Sequence, residues 1–242
     1  MNNQQFLTTI KKSFLTFLRG FEEGKNGSRS TEKLKILHGA IANDLATQLG
    51  TEYSIQSIGF EDDKEASIQG RYIDKKVDIT ILQNNQPIAG IGIKFVMQNY
   101  AQNSNNYFEN MLGETANIQC CNIPYFQILV LPEKIPYFSS GRIFKKWEIL
   151  TAEKIKKYLI LSNDPQEQYL HTPAKTLLYI ISLYDTSEQN SENLAKNSDF
   201  FNYYKKNHIK LSNNFNYPFG KNVIFNNYEE FIKKITHRIQ SI

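Results

Sequence analysis

An α/β fold, with a mixed central sheet between helices, is what this chain predicts, and three observations predict it. Helical periodicity opens the chain, and a block of strand-like alternation follows. An almost continuously apolar segment, "YFQILVLP" at 125–132, then reads as a buried strand. Strands in mid-chain with helices before, between and after them describe a sheet covered by helical layers. At 242 residues the chain is long enough to bury a proper core, and 1–242 reads as a single domain.

Each element has its own signal. Residues 4–22 space Phe6, Ile10, Phe14, Phe17, Leu18 and Phe21 at helical intervals, and "GKNGSRS" breaks the pattern. Ser30 is the expected N-cap of a second helix, "TEKLKILHGAIANDLATQLG", whose Leu34, Leu37, Ile41, Leu45 and Leu49 share one face before Gly50 ends it. Four alternating segments come next: "EYSIQSIGF", "ASIQGRYI", "KVDITILQ" and "PIAGIGIKFV". The last two form a hairpin through the turn "NNQP". A loop rich in Asn and Gln leads into a helix at 105–119, then the buried strand at 125–132. Further helices are predicted at 151–161, 172–183 and 228–239, with "DTSEQNSENLAKNSD" as an exposed connection.

Composition narrows the function classes. A net charge of +4 permits a polyanionic partner without demanding one. Cys120 and Cys121 are adjacent, which disfavours a disulfide, and they lack the spaced partners of a zinc site. His38, His171, His208 and His237 are scattered, which argues against a His-rich metal centre. No uninterrupted apolar run suggests a signal peptide or a membrane span. The expectation is a reduced, soluble, cytoplasmic protein.

The residues that carry chemistry lie in the hairpin. Strand alternation turns Val77, Ile79 and Ile81 one way, and Asp78 and Thr80 the other. On the next strand Ile91, Ile93 and Phe95 face the core, leaving Gly90, Gly92 and Lys94 opposite. Paired as a hairpin, the strands place Asp78 and Lys94 on one face. This pattern resembles the PD-(D/E)xK nuclease superfamily, which includes most type II restriction endonucleases. That family sets an Asp at the end of one strand, then an acid, any residue and a Lys on the next. Asp78 and Lys94 match the first and last positions, Val77 replaces the eponymous Pro, and Gly92 stands where the second carboxylate belongs. The resemblance covers 31–132, including its order of elements, and implies a restriction-endonuclease-like core. Residues 1–30 would then be a helical N-terminal segment and 151–242 a mainly helical C-terminal part.

The resemblance also implies an activity. Magnesium takes one or two carboxylates plus water and phosphate, and Lys94 would set its charge beside the phosphate and the attacking water. Some similar enzymes carry the missing acid on the helix after the Lys strand. Here that helix offers Glu109, the first choice by separation, and Glu114, which Met111 and Ile118 flank at helical spacing. Glycine at 92 would leave room for the incoming carboxylate. Glu32 and Asp44, on the helix before the strands, are candidates for a further ligand. The amides of Gln98, Asn99, Gln102, Asn103, Asn105 and Asn106 are candidates for contacts with DNA bases or phosphates.

The expected protein is a Mg2+-dependent type II restriction endonuclease acting on double-stranded DNA as a homodimer. A structure-selective repair nuclease, or a nuclease-like module that binds without cutting, is the alternative.

Overall fold

Phe6, Ile10 and Phe14 are fully buried along one stripe of α1 (Asn3–Glu22), as their spacing predicts. In the computed structural model, which describes residues 1–22, 31–139, 144–183, 197–206 and 208–242, this stripe lies over the sheet beside α2 (Glu32–Leu49). The cap expected at Ser30 lies outside the described residues. Helix α2 closes at Gly50, whose φ of 84° favours a residue without a side chain.

The alternating block gives β1 (Ser54–Ser57), β2 (Ala66–Ile68), β3 (Lys75–Val77), β4 (Ile79–Gln83) and β5 (Gln86–Phe95). Asn84 and Asn85, with φ of 51° and 61°, make the two-residue hairpin turn between β4 and β5. Helix α3 (Ser104–Gln119) then returns the chain to β6 (Tyr125–Pro132), which runs parallel to β5. A hairpin of β7 (Lys134–Phe138) and β8 (Phe144–Ile149) precedes α4 (Ala152–Asn163).

The C-terminal part corrects two expectations. Residues 172–183 are not a helix: they contain β9 (Lys175–Ser182), which runs parallel to β6 inside the sheet. The segment is apolar on both faces, so periodicity alone does not separate strand from helix. The region is also less helical than expected. Beside α4, α5 (Asn197–Lys206) and α6 (Tyr228–Gln240) it contributes β10 (Lys210–Leu211) and β11 (Val223–Phe225), both paired to β9. A core drawn at 31–132 therefore omits a central strand. The connection predicted at 185–199 lies outside the described residues as far as 196.

The main sheet runs β1-β4-β5-β6-β9, with β10 and β11 along the outer edge of β9. Its β1-β4-β5 half is antiparallel, and β5-β6-β9-β11 is parallel. Helices α1, α2 and α6 cover one face, around Ile79, Ile91, Phe126 and Tyr179; α3 and α4 cover the other, around Leu129, Leu178 and Ile180. The sheet is thus mixed and flanked by helices, as predicted.

Two backbone contacts hold the β1–β2 connection against α2. A Cβ on Gly39 would lie 2.1 Å from the Gly59 carbonyl oxygen, and one on Gly59 would lie 2.1 Å from that of Lys35. Lys35 adds an ion pair to Asp63 at 2.5 Å. In most helix interiors Gly→Ala gains stability. Gly39→Ala is expected to lose about 1–3 kcal/mol, as overpacking does. Urea denaturation checks the sign.

Candidate active site

Asp78 occupies the bend between β3 and β4, and the bend alters the expected alternation. Val77 packs with Ile68, Ile118 and Tyr125, whereas Ile79 packs on the opposite face beneath α2, so the two do not point the same way. Beyond the Ile79–Ile91 pair, β4 no longer accompanies β5. The Ile93 N–H, left without a strand partner on that side, donates to Asp78 Oδ2 at 2.6 Å. This bond fixes one carboxylate oxygen. The Ser57 hydroxyl donates to the Asp78 carbonyl at 2.7 Å and holds the backbone.

Two adjoining cavities, of about 350 and 180 Å³, share Asp78, Ile93, Lys94 and Tyr107 in their walls. Asp78 and Lys94 therefore meet in one cleft. Lys94 Nζ lies over the Tyr107 ring, 4.1 Å from its centroid, a cation–π contact that positions the ammonium. Burial lowers the Lys94 pKa, while the charges of Asp78 and Glu114 oppose the change. Lys33, on α2, lines the larger cavity; burial, with the Lys94 charge adding, brings its pKa down to about 8.

Of the two helical acids, α3 brings Glu114 to the smaller cavity. Its Oε1 pairs with Lys75 Nζ at 2.5 Å, and Oε2 accepts a long hydrogen bond from the Tyr125 hydroxyl at 3.5 Å. Glu109, the first choice by sequence, is exposed and lines neither cavity. A helical acid reaches the cleft only from the face turned to the sheet, where Met111 and Ile118 are buried. Were the chain the nuclease that its sequence resembles, Glu114→Gln would slow cleavage by about 10–100-fold, the range for a group supporting a metal site. Glu109→Gln should stay within about twofold, as an exposed charge. Initial rates on one plasmid substrate separate them.

Gly92 lines the smaller cavity together with Glu114, and part of the space above it is taken by a side chain that the sequence reading did not name. A Cβ there would meet Gln127 Nε2 and the Tyr125 hydroxyl, each at 2.7 Å, and Gln127 Oε1 at 2.9 Å. Gln127 is paired in register with Gly92 across β5 and β6, and it is 3% exposed. Its amide occupies the room a side chain at 92 would claim. The sequence held a signal for it: Gln127 is the one amide in an otherwise apolar strand, and a buried polar residue is more informative than an exposed apolar one.

Helix α2 contributes His38 to the cleft rather than Glu32 or Asp44. Asp44 accepts from the Tyr228 hydroxyl at 2.9 Å and pairs with the Met1 amino group at 2.5 Å, which ties α1, α2 and α6 together. Glu32 lies 3.6 Å from Lys35. His38 Nδ1 stands 4.0 Å from Asp78 Oδ1, and Glu65 completes a group of three potential ligands. His38 was legible as a buried position, since it follows Leu37 on the apolar face of α2. Its neighbours were not.

Electrostatics single out Asp78. Burial pushes its carboxyl up to about 6; the Ile93 hydrogen bond pulls the other way, and the Glu114 charge adds to the rise. Glu65 is raised by burial and by Asp78. Acids crowded in this way favour an incoming cation. Two carboxylates and an amide oxygen are hard donors, and magnesium suits such a set.

The amide-rich loop is partly committed to structure. Asn99 donates from Nδ2 to the Phe138 carbonyl at 2.9 Å and accepts from its N–H at 2.8 Å. Asn103 donates to the Asn99 carbonyl at 3.2 Å. Gln102 accepts from the Tyr137 hydroxyl, and Asn105 from Lys157. Gln98 lines the larger cavity, and among the described residues its buried Oε1 has no hydrogen-bond partner. Asn106 is exposed at the start of α3.

No family model, curated protein or solved structure matches this chain. Among the described residues, no helix is long and apolar enough to cross a membrane.

Proposed function

We propose that this chain is a magnesium-dependent deoxyribonuclease with a restriction-endonuclease-like core, cutting double-stranded DNA at a specific sequence as a homodimer. The observation that carries the reading is the meeting of Asp78, Lys94 and Glu114 in one cleft, from three separate elements. Asp78 and Glu114 would hold the cation, with the Gln127 amide beside them. A bound magnesium ion would offset charge on the phosphate and lower the pKa of attacking water.

The chain's own groups do the rest. The Ile93 N–H orients the Asp78 carboxylate, and Tyr107 aims the Lys94 ammonium at the cleft. Lys94, stripped of much of its water, interacts strongly with an arriving phosphate. Lys33, in the adjoining wall, adds positive charge along the path of a phosphate backbone. Two copies related by two-fold symmetry would each address one strand of a palindromic site.

Plasmid digestion with and without Mg2+ tests the reading. A discrete fragment ladder supports it, and selective cutting at branched junctions would move the protein to the repair nucleases. One observation favours binding without hydrolysis: the neutral Gln127 amide takes the place of a carboxylate above Gly92. Retention of DNA with no cleavage under Mg2+ or Mn2+ would establish that alternative.

A further inference from the structure

We propose that His38, Glu65 and Asp78 form a binding site for a first-row transition-metal dication, with Mn2+ the ion to test. The first observation is the histidine itself. Its side chain is 1% exposed, yet among the described residues neither ring nitrogen has a hydrogen-bond partner. Buried imidazole nitrogens are nearly always satisfied, so an orphaned pair calls for an explanation such as an ion.

Distance is the second observation. His38 Nδ1 and Asp78 Oδ1 are 4.0 Å apart, too far for a hydrogen bond. Two ligand bonds of roughly 2.0–2.2 Å at tetrahedral or octahedral angles set their donor atoms about 3.0–3.5 Å apart, so this pair would close by about 1 Å around an ion. Glu65 supplies the third ligand, and the three donor atoms lie within 4.8 Å of one another. This spread asks only for a small inward movement of flexible side chains.

The fold builds this group on purpose-made contacts. Gly39, next to His38, and Gly59 let the β1–β2 connection lie directly on α2. The Lys35–Asp63 pair clamps that connection two residues before Glu65. The Asp78 backbone is held by Ser57 at the end of β1. Three ligands from a helix, a loop and a bend are thereby presented to one point.

The donor set decides the class of ion. Imidazole nitrogen suits a transition metal such as zinc or iron and carboxylates suit manganese, whereas magnesium prefers an all-oxygen set and keeps its waters. Asp78 offers Oδ1 to this site, while Oδ2 accepts the Ile93 N–H. The inference shares Asp78 with the proposed catalytic cleft but does not rest on DNA cleavage, because binding is measured without DNA.

The experiment is Mn2+ titration of the chelator-treated full chain, with free Mn2+ counted by electron paramagnetic resonance. Pulsed measurement of the bound ion then looks for ¹⁴N modulation from a coordinated imidazole. Wild-type protein should show it. Glu65→Gln, on a half-buried loop side chain, should weaken Mn2+ binding by about tenfold or more, and His38→Gln should abolish the nitrogen signal. Glu114→Gln should keep that signal. Bound Mn2+ without ¹⁴N modulation in the wild type overturns the proposal, as does unchanged affinity in Glu65→Gln. If His38→Gln does not fold, the wild-type spectrum and Glu65→Gln still decide. A plasmid left uncut by a protein that shows the nitrogen signal would overturn the nuclease reading alone.

Discussion

Asp78→Asn is expected to slow DNA cleavage by roughly 10²–10³-fold or more while raising the melting temperature at neutral pH. The two effects share one cause. Burial disfavours the Asp78 carboxylate, so its folded pKa of about 6 lies above the ordinary value of 3.8. Above about pH 6 the folded protein therefore bears the full cost of an ionised, crowded acid. This cost fades as pH falls from about 6 towards 4, where the group is protonated folded and unfolded alike. An Asn removes the charge and keeps an oxygen to accept the Ile93 N–H.

The shift sets a ceiling of about 3 kcal/mol, and the 30% exposure of the side chain brings the expected gain to roughly 1–2 kcal/mol. For a chain of this size that is a rise of roughly 3–6 °C at pH 7.5. The difference should vanish near pH 4. Divalent cation at 100 times its dissociation constant should stabilise wild type by about 2.7 kcal/mol and leave the variant unmoved. Loss of an ion ligand costs several kcal/mol of transition-state stabilisation, hence a fall in cleavage of roughly 10²–10³-fold or more. A variant as active as wild type, or less stable at pH 7.5, would contradict this account of the site.

Lys94→Met is expected to cost about 10²–10³-fold in cleavage rate, the range for removing one preorganised electrostatic contact. Met keeps an apolar stem over the Tyr107 ring and relieves the burial of a charge, so folding should hold. Lys94→Arg should also be impaired, since a planar guanidinium does not take the place of a compact ammonium over the ring. Single-turnover cleavage under Mg2+, beside DNA binding under Ca2+, separates the chemical step from affinity. Unaltered single-turnover rates would remove Lys94 from the reaction.

Particular residues show how much was legible. Alternation across the hairpin identified Asp78 and Lys94, because a strand has a fixed two-residue period and its faces can be assigned by counting. The turn at Asn84-Asn85 was equally plain. Counting failed at Val77, since a bend at Asp78 resets the alternation. It failed at β9 for another reason: "TLLYII" is buried on both faces and shows no period, though the same reading succeeded for "YFQILVLP". Glu109 and Glu114 could be located on a helix, but not the angle at which that helix meets the sheet.

By itself the sequence determined the layered α/β plan, the hairpin and the placing of an acid and a lysine on the same side of the sheet. These follow from short-range periodicity and turn chemistry, which operate over a few neighbouring residues. Only the tertiary structure decided that Gln127 takes part of the space over Gly92, that Glu114 and not Glu109 reaches the cleft, and that His38 and Glu65 stand beside Asp78. Those juxtapositions depend on how strands register and how helices seat, and the energies that set them are spread over side chains far apart in the chain.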